Sequence, residues 1–136
     1  MAWLRKKPKI LVVEDDPDIS RIISSTLDRA GFDVVIAFGG ADAIRKLTRH
    51  RFALVLTDLA MPDVTGVEVI QKLRVETATR NTPVIAVTAH TWDRIAQAAN
   101  EVGCNDYLSK PFTPKQLLEV VGKHLRLSTS EMGLAR

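Results

Sequence analysis

Short apolar runs recur along the chain, and no other feature limits the possible folds as strongly. Five of them stand out, at 9–13, 34–37, 53–57, 83–88 and 106–109. The first four are β-branched and apolar without polar alternation, which is typical of strands covered on both faces of a parallel sheet. We therefore predict five strands, most of them buried.

Segments with helical spacing lie between these runs. Asp16 can accept hydrogen bonds from free backbone N–H groups, and Pro17 suits the first helical position, so a helix is expected to start there. Gly31 marks its end. The apolar stripe of this helix, at the 3.6-residue period, comprises Ile19, Ile22, Ile23, Thr26, Leu27 and Ala30.

Two later helices begin with capping-box sequences. Thr65 is followed three positions later by Glu68, and Thr113 by Gln116, so each pair is expected to satisfy backbone donors reciprocally. Five strands alternating with five helices predict right-handed crossovers and an α/β fold, a (βα)5 doubly wound three-layer sandwich. The four later helices are expected over 41–49, 67–75, 91–102 and 115–125.

Length and charge indicate a single domain that binds no nucleic acid directly. With 136 residues, of which 46% are hydrophobic, the chain can bury one substantial core. The net charge of +3 is a mild excess, and several basic residues crowd the first ten positions. No aromatic residues interleave them as stacking platforms, so residues 1–7 are expected to form a solvated tail and the protein to bind no nucleic acid directly.

The remaining composition points to a reducing compartment. Cys104 is the single cysteine, which excludes an internal disulfide and leaves no zinc-ligand spacing. No apolar stretch has the length of a signal-peptide core or a membrane span. We therefore expect a soluble, cytoplasmic protein with no membrane association.

Polar residues follow the predicted strands at the edge where chemistry is expected. In open parallel sheets, ligands bind beyond the carboxyl ends of the strands. The residues at these ends are, in chain order, Glu14-Asp15-Asp16, Gly39-Gly40, Asp58, Thr88-Ala89 and Lys110-Pro111.

These residues fit a phosphoryl-transfer site. If the first and third strands are neighbours, Glu14, Asp15 and Asp58 meet at one edge, and their mutual repulsion must be offset. Mg²⁺ and the ammonium of Lys110 are the two candidates for this role. A hydroxyl from Thr88 would meet the remaining phosphoryl oxygens. Asp58 is the candidate nucleophile, because a carboxylate forms an acyl phosphate without an activating base.

Each residue alone has a simpler explanation. Asp16 before Pro17 is expected to cap a helix rather than bind a ligand. Asp58 alone would be a turn former, and Lys110 alone a solvated charge. Their joint occurrence with Thr88 at four strand ends favours the functional interpretation, because the simpler one must be invoked separately each time.

Four segments of the chain form a recognisable series, in the order "ILVVEDDP", "LVLTDLAMPDVTGVEVI", "PVIAVTA" and "DYLSKPF". Together they resemble the receiver domain of two-component response regulators, in particular the chemotaxis receiver. The matching segments cover about residues 8–126, leaving 127–136 as a C-terminal tail. The resemblance implies a flavodoxin-like sheet with strand order 2-1-3-4-5.

The resemblance also implies roles for individual residues. Asp58 would take a phosphoryl group from the phosphohistidine of a histidine kinase or a phosphotransfer protein. Asp15 would bind Mg²⁺ directly and Glu14 through water, with the backbone carbonyl of Ala60 as a further ligand. Side chains at the positions of Ala60 and His90 position or exclude the attacking water in such domains.

The resemblance also implies a conformational switch formed by residues of the fourth and fifth strands and the lysine that follows them. Thr88 and Lys110 would bind the phosphoryl oxygens, and Tyr107 would turn inward as Thr88 moves. Pro111 would follow a cis peptide bond. The responding surface, and the docking surface for a downstream protein, would be the face formed by residues 91–125.

Several alternatives remain at this level. The domain is expected to act alone, as a switch that catalyses only its own phosphorylation and dephosphorylation. A receiver fragment of a hybrid histidine kinase is the first alternative. The segment Asp16-Pro17-Asp18 imitates the nucleophile motif of haloacid-dehalogenase-type phosphatases. A receiver-like binding module that is never phosphorylated is the third alternative.

Overall fold

The computed structural model describes residues 7–89, 93–128 and 131. Its five strands are β1 (Lys9–Val13), β2 (Asp33–Ala37), β3 (Leu54–Thr57), β4 (Val84–Thr88) and β5 (Asp106–Ser109). Its five helices are α1 (Pro17–Arg29), α2 (Gly40–Arg49), α3 (Gly66–Val75), α4 (Arg94–Glu101) and α5 (Pro114–Leu125). Within the described part of the chain, no helix has the length and apolarity needed to cross a bilayer.

Every predicted strand and helix is present, with ends shifted by a few residues at most. The predicted helix over 91–102 is described only from α4 onwards, because residues 90–92, including His90, lie outside the described residues. Residues 1–6 of the predicted N-terminal tail and most of the predicted C-terminal tail lie outside them as well.

The sheet is entirely parallel, in the order β2-β1-β3-β4-β5. The registers align the strand ends: Val13 pairs with Ala37 on one side and with Thr57 on the other. At the far edge Thr88 pairs with Ser109. The residues that follow these positions therefore meet at one edge of the sheet, and the predicted doubly wound fold is confirmed.

Two apolar clusters cover the two faces of the sheet. Because side chains alternate along a strand, Ile10 and Val12 of β1 pack with α1 and α5, whereas Leu11 and Val13 pack with α2, α3 and α4. The central strands β1, β3 and β4 are almost fully buried, which makes them a rigid base for the residues at their ends.

The helix starts follow the predicted capping chemistry, with one exception. Asp16 accepts from the N–H groups of Asp18 and Ile19, and Thr113 forms a reciprocal capping box with Gln116. The predicted box at Thr65 is only half formed. Its hydroxyl accepts from the Glu68 N–H at 3.2 Å, but the Glu68 carboxylate lies 3.5 Å from that same hydroxyl instead of on the Thr65 N–H.

Candidate functional site

Two carboxylates are held in place by the sheet itself. The Asp58 N–H donates to the Val13 carbonyl at 2.9 Å, and the Glu14 N–H donates to the Ala37 carbonyl at 3.0 Å. Each bond extends a strand pairing by one residue, so the backbone of both acids is as rigid as the strands. Glu14 is 2% exposed and Asp58 9%.

Asp15 completes an acidic cluster with these two residues. Glu14, Asp15 and Asp58 each offer one oxygen, and the three oxygens lie within 4.8 Å of one another. Asp15 is exposed, so the cluster opens to solvent on its side. Carboxylate oxygens at this spacing, with an open side for water and a phosphate oxygen, suit the chemistry of Mg²⁺.

Lys110 directly follows β5, and its side chain reaches the acidic cluster. Its Nζ donates to Glu14 Oε1 at 2.5 Å and to Asp58 Oδ2 at 3.0 Å, and its side chain is 17% exposed. The peptide bond to Pro111 is cis, as the resemblance implies. One ammonium thus bridges the two buried acids and offsets part of their repulsion.

The protonation equilibria of this ion pair reflect burial and hydrogen bonding. Burial raises the pKa of Glu14 above its ordinary value, although the hydrogen bond from Lys110 opposes the shift. Burial alone would lower the pKa of Lys110, but the hydrogen bonds to Glu14 and Asp58 outweigh it and the pKa is raised. Lys110 is therefore a fixed positive charge at neutral pH.

The loop that follows Asp58 also holds this residue in place. The Ala60 N–H donates to Asp58 Oδ1 at 3.3 Å, and the Gly66 N–H donates to the Leu59 carbonyl at 3.0 Å. A Cβ on Gly66 would collide with the Asp58 carbonyl. Only glycine fits there, a requirement that we did not predict, although a glycine at a predicted helix start is a visible signal for such a contact.

The predicted switch residues lie on the two strands that follow β3 across the sheet, β4 and β5. Thr88 is fully buried at the end of β4, and its carbonyl accepts from the Lys110 N–H at 3.1 Å. Tyr107 is half-buried on β5, and its hydroxyl donates to the Ala96 carbonyl of α4 at 2.8 Å. The tyrosine therefore links the edge strand to α4.

Asp16 does not join the cluster. Its carboxylate is occupied by the first turn of α1, as predicted, and its N–H donates to Glu14 Oε2 at 3.2 Å. The segment Asp16-Pro17-Asp18 is thus a helix start. The phosphatase alternative loses its proposed nucleophile, because the capping bonds direct this carboxylate to the helix backbone.

Comparisons with known proteins agree with this geometry. Residues 10–122 match the family described as the response regulator receiver domain. A probable transcriptional regulator, ycf29 of Pyropia yezoensis, is 39% identical over 115 residues, which cover 83% of this chain and 51% of that protein. The chain spans about half the length of this relative and of its counterpart in Porphyra purpurea.

Solved structures show the same similarity. The chemotaxis protein CheY4 of Vibrio cholerae aligns with a TM-score of 0.83 and 32% identity over 87% of this chain and 98% of that chain. The receiver domain of sensor histidine kinase PA1611 from Pseudomonas aeruginosa, solved with a magnesium ion in its active-site cleft, has a TM-score of 0.83 and 29% identity, covering 89% and 99%. The chain belongs to the response regulator receiver family, the phosphoacceptor domains of two-component signalling.

Proposed function

We propose that Asp58 accepts the phosphoryl group, from the phosphohistidine of a histidine kinase or a phosphotransfer protein. The observation that supports this most is the convergence of three carboxylates at the carboxyl edge of the sheet, two of them bonded to Lys110. Asp58 is the member of the cluster that follows the central strand β3, and its N–H is bonded to the Val13 carbonyl of β1.

The transfer requires no general base. A lone pair of an Asp58 carboxylate oxygen forms a bond to phosphorus, while the bond between phosphorus and the imidazole nitrogen breaks. Its electron pair returns to the imidazole, which takes up a proton. The Lys110 ammonium, which now lies on Asp58 Oδ2, would move to a phosphoryl oxygen, and the Thr88 hydroxyl would bind another.

Glu14, Asp15, Asp58 and the carbonyl of Ala60 are the groups that would hold Mg²⁺. When bound, the ion supplies positive charge to the phosphoryl oxygens. The acidic cluster suits a hard divalent cation, and one ammonium alone leaves it negatively charged.

The output would pass through α4, β5 and α5 to a protein partner, without direct nucleic-acid contact. Movement of Thr88 toward the phosphoryl group would open space beside β4 and alter the bond between the Tyr107 hydroxyl and α4. A downstream protein that prefers one arrangement of this face would then distinguish the two states.

Intact-mass measurement after incubation with acetyl phosphate and Mg²⁺ tests the assignment of Asp58. Wild type should gain the mass of one phosphoryl group, dependent on Mg²⁺ and labile to hydroxylamine, and Asp58→Asn should gain none. Asp28→Asn, at an exposed position of α1, is the matched control and should be labelled like wild type.

Three other outcomes would contradict the proposal. A label that persists in Asp58→Asn would place the acceptor elsewhere. Steady hydrolysis of varied phosphate esters would favour a phosphatase. A folded wild type that gains no label from either acetyl phosphate or a phosphorylated histidine donor would favour a binding module that is never phosphorylated.

A further inference from the structure

Asp63, in the loop between β3 and α3, contacts the start of a different helix. Its Oδ1 accepts from the Gly40 N–H at 3.2 Å and its Oδ2 from the Ala41 N–H at 3.1 Å, both in the first turn of α2. The residue before α2 is Gly39, which has no side chain to cap the helix. Asp63 therefore supplies from a distant loop the cap that α2 lacks locally.

The two segments pack closely enough for this contact to be specific. A Cβ on Gly39 would lie 3.0 Å from Asp63 Oδ2, and a Cβ on Gly40 would collide with the Val64 carbonyl. The N–H groups of Val64, Ala41 and Gly40 hold the pKa of Asp63 below its ordinary value. A charged carboxylate at a helix N-terminus also gains from the helix dipole.

The same loop contains a proposed metal ligand. Ala60 lies three residues before Asp63, and the loop is held at its ends by the bond from Ala60 to Asp58 and by the bond from Gly66 to Leu59. Between these ends, the two bonds from Asp63 to α2 tie the middle of the loop to a neighbouring element.

We propose that Asp63 is a positioning residue for the divalent cation. By tying the loop to α2, it holds the Ala60 carbonyl in the orientation that binding requires. This inference rests on the proposed function, since it takes Ala60 as a ligand. Residues that orient metal ligands typically change metal affinity about 10–100-fold when they are replaced.

The test separates positioning from simple helix capping. Mg²⁺ affinity is measured by calorimetric titration, and thermal stability by circular dichroism, for wild type, Asp63→Ala and the double variant Asp63→Ala with Gly39→Ser. Gly39 has an extended backbone with φ 178°, which serine adopts readily, and removal of the Asp63 carboxylate makes room for its side chain. The serine restores a local cap without restoring the bonds that join the β3–α3 loop to α2.

We expect Asp63→Ala to lower both the Tm and the Mg²⁺ affinity, the latter about tenfold. The double variant should recover the Tm but not the affinity. Phosphorylation by acetyl phosphate should return to the wild-type rate at saturating Mg²⁺, because the loss lies in binding. If the alanine variant does not fold, Asp63→Asn keeps one carbonyl acceptor, and its affinity should lie below that of wild type.

Two results would overturn the inference alone: an unchanged Mg²⁺ affinity in folded Asp63→Ala, or full recovery of affinity in the double variant, which would reduce Asp63 to a helix cap. A wild-type protein that binds no Mg²⁺ would overturn the proposed function together with this inference. The two failures are therefore distinguishable.

Discussion

Lys110 has two opposing relations to the acidic cluster. It offsets the repulsion between Glu14 and Asp58 through its two hydrogen bonds. Its positive charge also lies where a divalent cation would be repelled. A single side chain thus offsets part of the repulsion in the acidic cluster and, in the proposed function, would bind the new negative charge after phosphorylation.

Lys110→Met should therefore change two measurements in opposite directions. Mg²⁺ binding should become about tenfold tighter, because loss of the ammonium removes a charge repulsion of about 1–2 kcal/mol in partly screened surroundings. Phosphorylation by acetyl phosphate should become slower, because no ammonium neutralises the transferred oxygens. Calorimetry and time-resolved intact mass provide the two values.

Lys115→Met is the matched control, since Lys115 is exposed on α5. Both of its values should equal those of wild type. A Lys110→Met variant that binds Mg²⁺ more weakly, or that is phosphorylated at the normal rate, would remove Lys110 from the proposed chemistry.

The site residues that the strand pattern itself places, without the resemblance, share one property: each lies at the end of a recognisable apolar run. Asp58 and Lys110 follow β3 and β5 directly, so the strand pattern alone places them at the edge of the sheet. Asp63 and Gly66 were not predicted, because their roles depend on contacts with Gly40 and with the Asp58 carbonyl. Such contacts between loops leave no periodic signal in the chain.

At the level of elements, Arg74 at the end of α3 links three segments at the opposite end of the sheet. Its guanidinium donates to the Gly103 carbonyl at 3.0 and 3.1 Å, to the Thr82 carbonyl at 2.7 Å and to Asn105 Oδ1 at 2.7 Å. Asn105 Oδ1 in turn accepts from the Val84 N–H. Arg74 thereby joins the turns that precede β4 and β5.

Replacing Arg74 should destabilise the fold without touching the phosphorylation chemistry. Arg74→Met should lower the free energy of unfolding by about 2–3 kcal/mol, because several charge-assisted hydrogen bonds are lost. Arg74→Lys should recover little, since one ammonium cannot reproduce the planar fork. Urea denaturation measures both.

Arg80→Met provides the comparison, because Arg80 is exposed in the same region and should change stability by less than about 0.5 kcal/mol. Equal effects at the two positions would show that Arg74 contributes only as a surface charge. Under conditions in which the variant is folded, Arg74→Met should still be phosphorylated on Asp58.

The helices and strands were predictable because their signals are local. The Asp16 cap and the Thr113 box involve residues within three positions of each other. The role of Arg74 was not predictable, since a basic residue in the last turn of a helix usually interacts with solvent and the helix dipole, and its partner Gly103 lies 29 positions away.

For the whole molecule, the number and kind of elements followed from periodicity, but the strand order did not. The order 2-1-3-4-5 depends on which buried strands pair, and all of the buried strands have similar apolar sequences. It came from the resemblance and is confirmed by the sheet. This order brings Glu14 and Asp58 together, because it makes β1 and β3 neighbours.

The fold therefore gathers repelling charges at one edge, and its stability should depend on the cation. Wild type should be stabilised by Mg²⁺, by about 2.7 kcal/mol at a free concentration one hundred times Kd. Asp15→Asn should be slightly more stable than wild type in EDTA, by about 0.5–1 kcal/mol, because Asp15 is exposed and its repulsion is screened.

The order of stability of wild type and Asp15→Asn should then reverse as Mg²⁺ is added. Wild type should gain stability by binding the cation, whereas Asp15→Asn lacks one of the proposed ligands and should gain little. Thermal unfolding across a Mg²⁺ series measures the crossing, with Asp28→Asn as a control that should follow wild type. Coincident curves for wild type and Asp15→Asn would mean that Asp15 neither binds the cation nor adds to the repulsion, and the acidic cluster would then consist of Glu14 and Asp58 alone.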